Sequence, residues 1–191
     1  MNELSKQKEQ LRQSSRQKRN SFSEEYIEES SRLACEHLAH SKEYISAKTI
    51  LIYYPTKNEI SPLPIMNLAI RDGKQIAFPV CDKVKRTLTF KKVSSISELE
   101  PASFGILEPK DYCENIELNE HALCLVPALL FSRDGHRLGY GMGYYDRFLN
   151  NFTGKSIGFS YSELLCDSLP HEEHDIPLDM IITESEVLYI A

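Results

Sequence analysis

The run Thr49, Ile50, Leu51, Ile52, Tyr53 and Tyr54 constrains the fold more than any other part of the chain. It is near-continuously apolar and β-rich, without the alternation of a strand that shows one face to water. Such a strand needs cover on both faces. Pro55 ends it, and a short loop, Thr56-Lys57-Asn58-Glu59, leads to Ser61-Pro62. That pair reads as an N-cap followed by proline at the first helical position, and the helix it opens runs to Gly73, a natural stop. Residues 75–80 read as the next strand, with Pro79 near its end, and residues 87–93 as a strand on a half-exposed edge,. Between them residues 81–86 form a polar turn, and residues 97–99 a single helical turn. Residues 156–161, 180–183 and 187–190 read as further strands. Strands alternating with helices predict a three-layer α/β/α fold around a central mixed, partly parallel sheet. The chain has 191 residues, enough for one domain, residues 1–191, with a substantial core,.

Residues 3–19 lack Pro and Gly and are rich in helix formers,. Lys8, Arg12, Arg16 and Arg19 recur so as to share one face. Two meanings stay open: a solvated basic face, or a face that closes over an anion in a chain whose formal net charge is −6,. Ser21 and Glu24 have capping-box spacing and open a second helix over about residues 23–40. Its apolar positions, Tyr26, Ile27, Leu33, Ala34 and Leu38, suit packing against a sheet, and His37 and His40 read as surface or helix-end residues.

The acidic balance argues against a nucleic-acid partner. No apolar run approaches the ~20 residues that span a membrane, and the polar N-terminus lacks the apolar region of a secretory signal. Five cysteines, odd in number and widely spaced without Cys-x-x-Cys, read as reduced thiols of a cytoplasmic protein,.

The chemistry concentrates between Phe131 and Leu149. An apolar run, residues 121–130, leads into Arg137-Leu138-Gly139-Tyr140-Gly141-Met142-Gly143-Tyr144-Tyr145-Asp146, which precedes a short helical pattern. Glycine allows positive φ and close approach of backbone to a ligand. A glycine-rich turn feeding a helix gathers unpaired N–H groups that suit a phosphate. Arg137 supplies a fixed, bidentate cation there, and Asp146 an oxygen ligand for Mg²⁺. The spacing Gly-x-Gly-x-Gly matches neither a P-loop nor a dinucleotide fingerprint. Taken alone, it is also compatible with a plain tight loop.

These residues resemble the signature of the 5-formyltetrahydrofolate cyclo-ligase family, roughly Pro-x-x-x-Phe-Asp-x-x-Gly-x-Arg-Leu-Gly-x-Gly-x-Gly-Tyr-Tyr-Asp. Here it is carried by Pro127, Phe131, Gly135, Arg137, Leu138, Gly139, Gly141, Gly143, Tyr144, Tyr145 and Asp146. Ser132 stands where the family often has Asp. The resemblance covers nearly the whole chain and implies a sheet like that of the sugar-phosphate isomerase and CoA-transferase group. It also implies ATP-dependent cyclisation of 5-formyltetrahydrofolate to 5,10-methenyltetrahydrofolate, with Mg²⁺ as cofactor. The partners it implies are ATP and the folate, free or polyglutamylated; the chain is expected to act as a monomer, with no nucleic acid and no membrane.

Residue by residue, the resemblance assigns Lys8, Arg12, Arg137, Leu138, Gly139, Gly141, Gly143, Tyr144 and Tyr145 to ATP. Arg137 and Tyr144 take the catalytic roles. Tyr54, Glu59, Phe104, Tyr140, Met142 and Tyr144 would meet the folate, and Asp146 with Asp175 would hold Mg²⁺. Phe104 begins an apolar Phe-Gly-Ile-Leu-Glu-Pro stretch that either packs on the core or lines a pocket,. The stretch His171-Glu172-Glu173-His174-Asp175 invites a metal reading, but its histidines are three apart and follow Pro170, so a solvated loop is expected for both. Two other readings stand beside this one. A sugar-phosphate isomerase would use the glycine loop without ATP and would need a general base in the pocket. A non-catalytic folate- or nucleotide-binding regulator would bind both ligands without turnover.

Overall fold

The structure, a computed structural model, describes residues 3–102, 105–172 and 175–190. Two helices open it, α1 (Glu3–Asn20) and α2 (Glu24–Ala39), and a short third follows, α3 (Lys42–Ser46). The cap of α2 is Ser23, whose side chain accepts from Tyr26 N. Ser21 instead turns its hydroxyl back to Lys18 O, so the capping-box pair expected at Ser21 and Glu24 is not the one used. The physical reason is that α1 ends only at Asn20, leaving Ser21 to close that helix rather than start the next.

After β1 (Thr49–Leu51) and α4 (Leu63–Arg71) the chain forms β2 (Gln75–Asp82) and β3 (Thr87–Lys92). A two-stranded ribbon follows, β4 (Leu99–Pro101) with β5 (Leu107–Pro109), and then β6 (Ala122–Val126). Beyond it lie β7 (Leu130–Ser132), β8 (Arg137–Leu138), α5 (Tyr144–Leu149) and β9 (Lys155–Phe159). The last strands are β10 (Leu165–Cys166), β11 (Met180–Ile182) and β12 (Val187–Tyr189).

Seven strands form the main sheet in the order β12-β11-β9-β6-β1-β2-β3. The five inner strands run parallel, and β3 and β12 close the two edges antiparallel. The mixed, largely parallel sheet expected from the alternation of strands and helices is therefore present. Strand β1 is an inner strand, between β6 and β2, and Ile50, Leu51 and Ile52 are fully buried, as the unbroken apolar run requires. Regular pairing of β1 stops at Leu51, although Ile52 N still reaches Ala77 O.

Two further boundaries differ from expectation. Strand β2 runs through Pro79 to Asp82 rather than ending there. Ile76 O faces β3 and Ala77 O faces β1, so alternation turns the missing N–H of Pro79 toward the β1 side, where β1 has already ended. Proline is tolerated where no ladder partner is lost. Helix α4 starts one residue later than read, with Pro62 rather than Ser61 at the cap position.

Helices α2 and α4 cover one face, burying Ala34, Leu38, Ile65 and Met66 against Ile50, Ile52, Leu123, Leu125 and Ile157. The other face packs Leu51, Ala77, Cys124, Val126 and Ile181 under Phe131, Leu149 and Leu178. That third layer is thin: the six-residue α5 and the small sheet β10-β7-β8.

Close packing leaves one position before β9 with no room for a side chain. A Cβ on Gly154 would lie 2.1 Å from the carbonyl oxygen of Ala122, which is backbone and cannot swing aside. Gly154→Ala is expected to lower unfolding free energy by about 1–3 kcal/mol, as overpacking does. Urea unfolding checks this, and an unchanged midpoint would refute it.

Candidate active site

Topology places the site before any side chain is considered. From β1 the chain moves outward to β2, then returns to β6 on the opposite side of β1. The carboxyl ends of β1 and β6 thus border a switch point, where open α/β sheets bind ligands. The loop after β1 carries Tyr54 and Glu59. The chain after β6 makes the β7–β8 hairpin and then the glycine loop.

The loop takes its shape from two glycines. Gly141 has φ +90° and Gly143 φ +66°, and Gly143 is the N-cap residue of α5. A side chain at either would be strained. Helix α1 lies across this loop. Arg12 Nε donates to Gly139 O at 3.0 Å, and the Arg12 guanidinium carbon lies 3.5 Å from where a Gly141 Cβ would stand. Lys8 Nζ reaches Asp175 Oδ2 at 2.8 Å and Glu172 Oε2 at 3.3 Å. The basic face of α1 therefore closes over anions, and here they are the protein's own carboxylates.

Beneath the loop, Arg137 is 5% exposed. One arm of its guanidinium donates to Ile176 O at 2.6 Å and the other to Asp146 Oδ1 at 2.5 Å. Burial pulls the Arg137 pKa down despite the neighbouring carboxylates of Asp146 and Asp175. Asp146 is in the first turn of α5 and Asp175 precedes Ile176, so the two proposed metal carboxylates flank one arginine. Each already holds a cation, Asp146 with Arg137 and Asp175 with Lys8.

At the end of β1 a second cluster forms. Glu59, 7% exposed, accepts from Thr56 N at 2.8 Å and Thr56 Oγ1 at 3.0 Å. It also accepts from the Tyr140 hydroxyl, and Arg19 Nη1 lies 3.5 Å away. Arg19 Nη2 donates to the same hydroxyl at 2.9 Å. The Tyr140 ring is 44% exposed, but burial of its hydroxyl beside Glu59 raises its pKa to about 12, so it stays a donor. Arg19 had no assigned role in the sequence; the structure makes it the buried cation that faces Glu59. Its place on the Lys8–Arg12 face was the available signal. Its Nε is buried with no hydrogen-bond partner among the described residues, beside a cavity of about 10 Å³ bordered by Glu59, Pro127 and Ser160. That space is the size of one water.

The remaining assigned residues fall into three groups. Tyr54 is half-buried against the main core, beside the Glu59 loop. Tyr144 and Tyr145 pack into the core under the loop, and burial pushes the Tyr145 hydroxyl well above its usual pKa. The Leu138 side chain is likewise buried, and its carbonyl accepts from Leu129 N. Met142 is exposed, contributing a carbonyl to Arg147. Phe104 lies outside the described residues, as does His174. A groove of about 290 Å³ opens elsewhere, between β3 and α5, lined by Thr87, Leu118, Arg147 and Phe152 among others; Glu59 and the glycine loop are not part of its lining.

A largely parallel α/β sheet with a glycine loop and basic side chains at its switch point is the build of an enzyme that handles a phosphorylated ligand. The chain belongs to the 5-formyltetrahydrofolate cyclo-ligase family, whose sequence model matches residues 4–184. A 5-formyltetrahydrofolate cyclo-ligase of Haemophilus influenzae is 32% identical over 148 residues, covering 75% of this chain and 79% of that one. The Escherichia coli K12 protein of the same name is 29% identical over 177 residues, covering 90% and 97%. Among solved structures, the 5,10-methenyltetrahydrofolate synthetase of Aquifex aeolicus superposes with a TM-score of 0.83 at 31% identity, covering 96% of this chain and 92% of that one. The synthetase of Mycoplasma pneumoniae gives 0.75 at 25%, covering 93% and 98%.

Proposed function

We propose that the chain acts as one domain and a monomer, and that it catalyses ATP-dependent cyclisation of 5-formyltetrahydrofolate to 5,10-methenyltetrahydrofolate in the cytoplasm. The observation that carries this reading is Arg12 on the Gly139 carbonyl, with Arg137 on Asp146 and Lys8 on Asp175 beside it, in a chain of this family. Five free cysteines support the reduced compartment.

The formyl oxygen is a poor leaving group because it belongs to an amide. Its attack on the γ-phosphorus of ATP expels ADP and leaves the oxygen phosphorylated. The neighbouring aryl nitrogen then bonds to the activated carbon, the carbon–oxygen bond breaks, phosphate departs and the nitrogen loses its proton. The protein's task is alignment and charge neutralisation, as in other phosphoryl transfers. No covalent nucleophile is required, which suits cysteines whose pKa values burial raises at every position,.

Asp146 and Asp175 offer only carboxylate oxygens and are partly exposed, a donor set that fits Mg²⁺ with waters completing its shell,. Bound there, the ion would neutralise charge on the phosphoryl oxygens. The two ion pairs then have a use. Arg137 and Lys8 keep two carboxylates neutralised until the nucleotide enters, and these cations then turn to phosphate oxygens. Arg12 and the backbone of Gly139, Gly141 and Gly143 hold the phosphates, and α1 keeps water from the transferred group. Glu59 takes hydrogen bonds from the pterin once the Tyr140 hydroxyl yields its place, with Tyr54 and Phe104 as apolar walls.

The direct test is turnover of 5-formyltetrahydrofolate with and without MgATP, followed by the near-ultraviolet absorption of the methenyl product. Product only with MgATP supports the reading; folded protein that binds both ligands without product would overturn it. Lys8→Ala is expected to raise the KM for ATP by about tenfold, the worth of one charge-assisted contact, and leave that for folate near its original value. An unchanged ATP response would return Lys8 to a role in docking α1.

A further inference from the structure

The β7–β8 turn and the segment after β10 bring together three side chains that the cyclisation does not use. Asp134, His136 and His171 each present a ligand atom within 4.8 Å of the other two. The imidazoles stack, with centroids 3.8 Å apart and planes 8° apart. Nδ1 of His136 is buried and has no hydrogen-bond partner among the described residues. The group is also partly built. The Ser132 hydroxyl donates to Asp134 Oδ1, and Ser132 N holds His136 O at 2.9 Å, so the carboxylate is oriented and the backbone that bears one ring is fixed. His171, by contrast, is exposed on a stretch without helix or strand.

We propose that Asp134, His136 and His171 form a binding site for a divalent transition-metal ion of the zinc, cobalt or nickel type. Two imidazole nitrogens and one carboxylate suit such borderline ions, whereas Mg²⁺ prefers oxygen ligands alone. Lone pairs of stacked rings run side by side rather than converging, so binding requires a tilt. His171 is the ring free to make it, since the backbone hydrogen bond holds His136 at the start of β8. The site is separate from the carboxylates assigned to Mg²⁺. It lies near them all the same: Asp175, the partner of Lys8, is four residues beyond His171. An ion bound here ties the segment that bears Asp175 to the β7–β8 turn, beside Arg137.

The test is titration of the full chain with Co²⁺ in excess Mg²⁺, read in the visible spectrum. The expected result is one equivalent bound, with weak d–d bands, no intense thiolate charge transfer, and displacement by Zn²⁺. His171→Ala and His136→Ala should each weaken binding by about tenfold or more. Cys166, whose thiol lies near the Asp134 charge, supplies the control, and Cys166→Ser should leave the titration unchanged. His171 is exposed, so its variant should fold and keep its MgATP-dependent turnover, which separates this proposal from the reading of the active site. The proposal is overturned if wild type binds Co²⁺ no better than His171→Ala, or if the bands are those of a thiolate and vanish with Cys166→Ser.

Discussion

Arg137→Gln is expected to reduce kcat by about 10²–10³-fold, the usual effect of removing a preorganised group that meets developing charge. Arg137 is almost wholly buried, and burial depresses its pKa even with Asp146 at 2.5 Å. A cation kept where the surroundings disfavour its charge is poor evidence of a stabilising role, because buried ion pairs often contribute little net stability. The proposed transfer of a phosphoryl group would give it a purpose. Asp146, left without its partner, is 29% exposed and regains water. The variant should therefore fold, with a stability loss of about 1–3 kcal/mol, below the range for a fully buried pair. Arg137→Lys should recover only part of the rate. One ammonium has no planar fork to serve Asp146 and the Ile176 carbonyl together,. Steady-state kinetics on both variants decides it, and a folded Arg137→Gln enzyme with kcat within about threefold of wild type would remove Arg137 from the transition state.

Glu59→Gln is expected to raise the KM for folate by about 10–100-fold while leaving that for ATP nearly unchanged, since a site built to pair donors loses heavily when its acceptor is changed. The substitution keeps shape and removes the charge that faces Arg19 at 3.5 Å. Stability should fall by about 1–3 kcal/mol as a buried cation loses its compensation. Measuring both quantities separates two roles. A change in stability with unchanged folate kinetics would make Glu59 only an anchor for α1 through Tyr140 and Arg19. Loss of folate affinity beyond what instability explains supports contact with the substrate.

The two substitutions probe different halves of one closure. Helix α1 meets the glycine loop through Arg12 and the segment after β10 through Lys8, and it meets Glu59 beyond β1 and the Tyr140 hydroxyl through Arg19. Both contacts use groups that the ligands would claim. These groups already stand in ion pairs and hydrogen bonds within the chain, so each ligand's entry would be an exchange of partners rather than a burial of unpaired charge,.

Much of this was written in local pattern. The unbroken apolar run at residues 49–54 required a covered strand, and β1 is an inner, buried strand of the sheet. The shared face of Lys8, Arg12 and Arg19 follows from helical periodicity alone, and Gly141 and Gly143 adopt the positive φ that only glycine takes readily,. Such features depend on neighbours a few residues away. Strand order did not appear in the sequence, because any of several orders satisfies the same hydrophobic pattern, and it is strand order that makes the ends of β1 and β6 a switch point,. Nor did the partners of the charges. Arg19 against Glu59, Lys8 against Asp175 and His136 against His171 are separated by 40, 167 and 35 residues along the chain. A charge on a helix face announces its direction but not its counterion. Only packing of the elements brings such groups within a few ångströms, where burial strengthens each pairing.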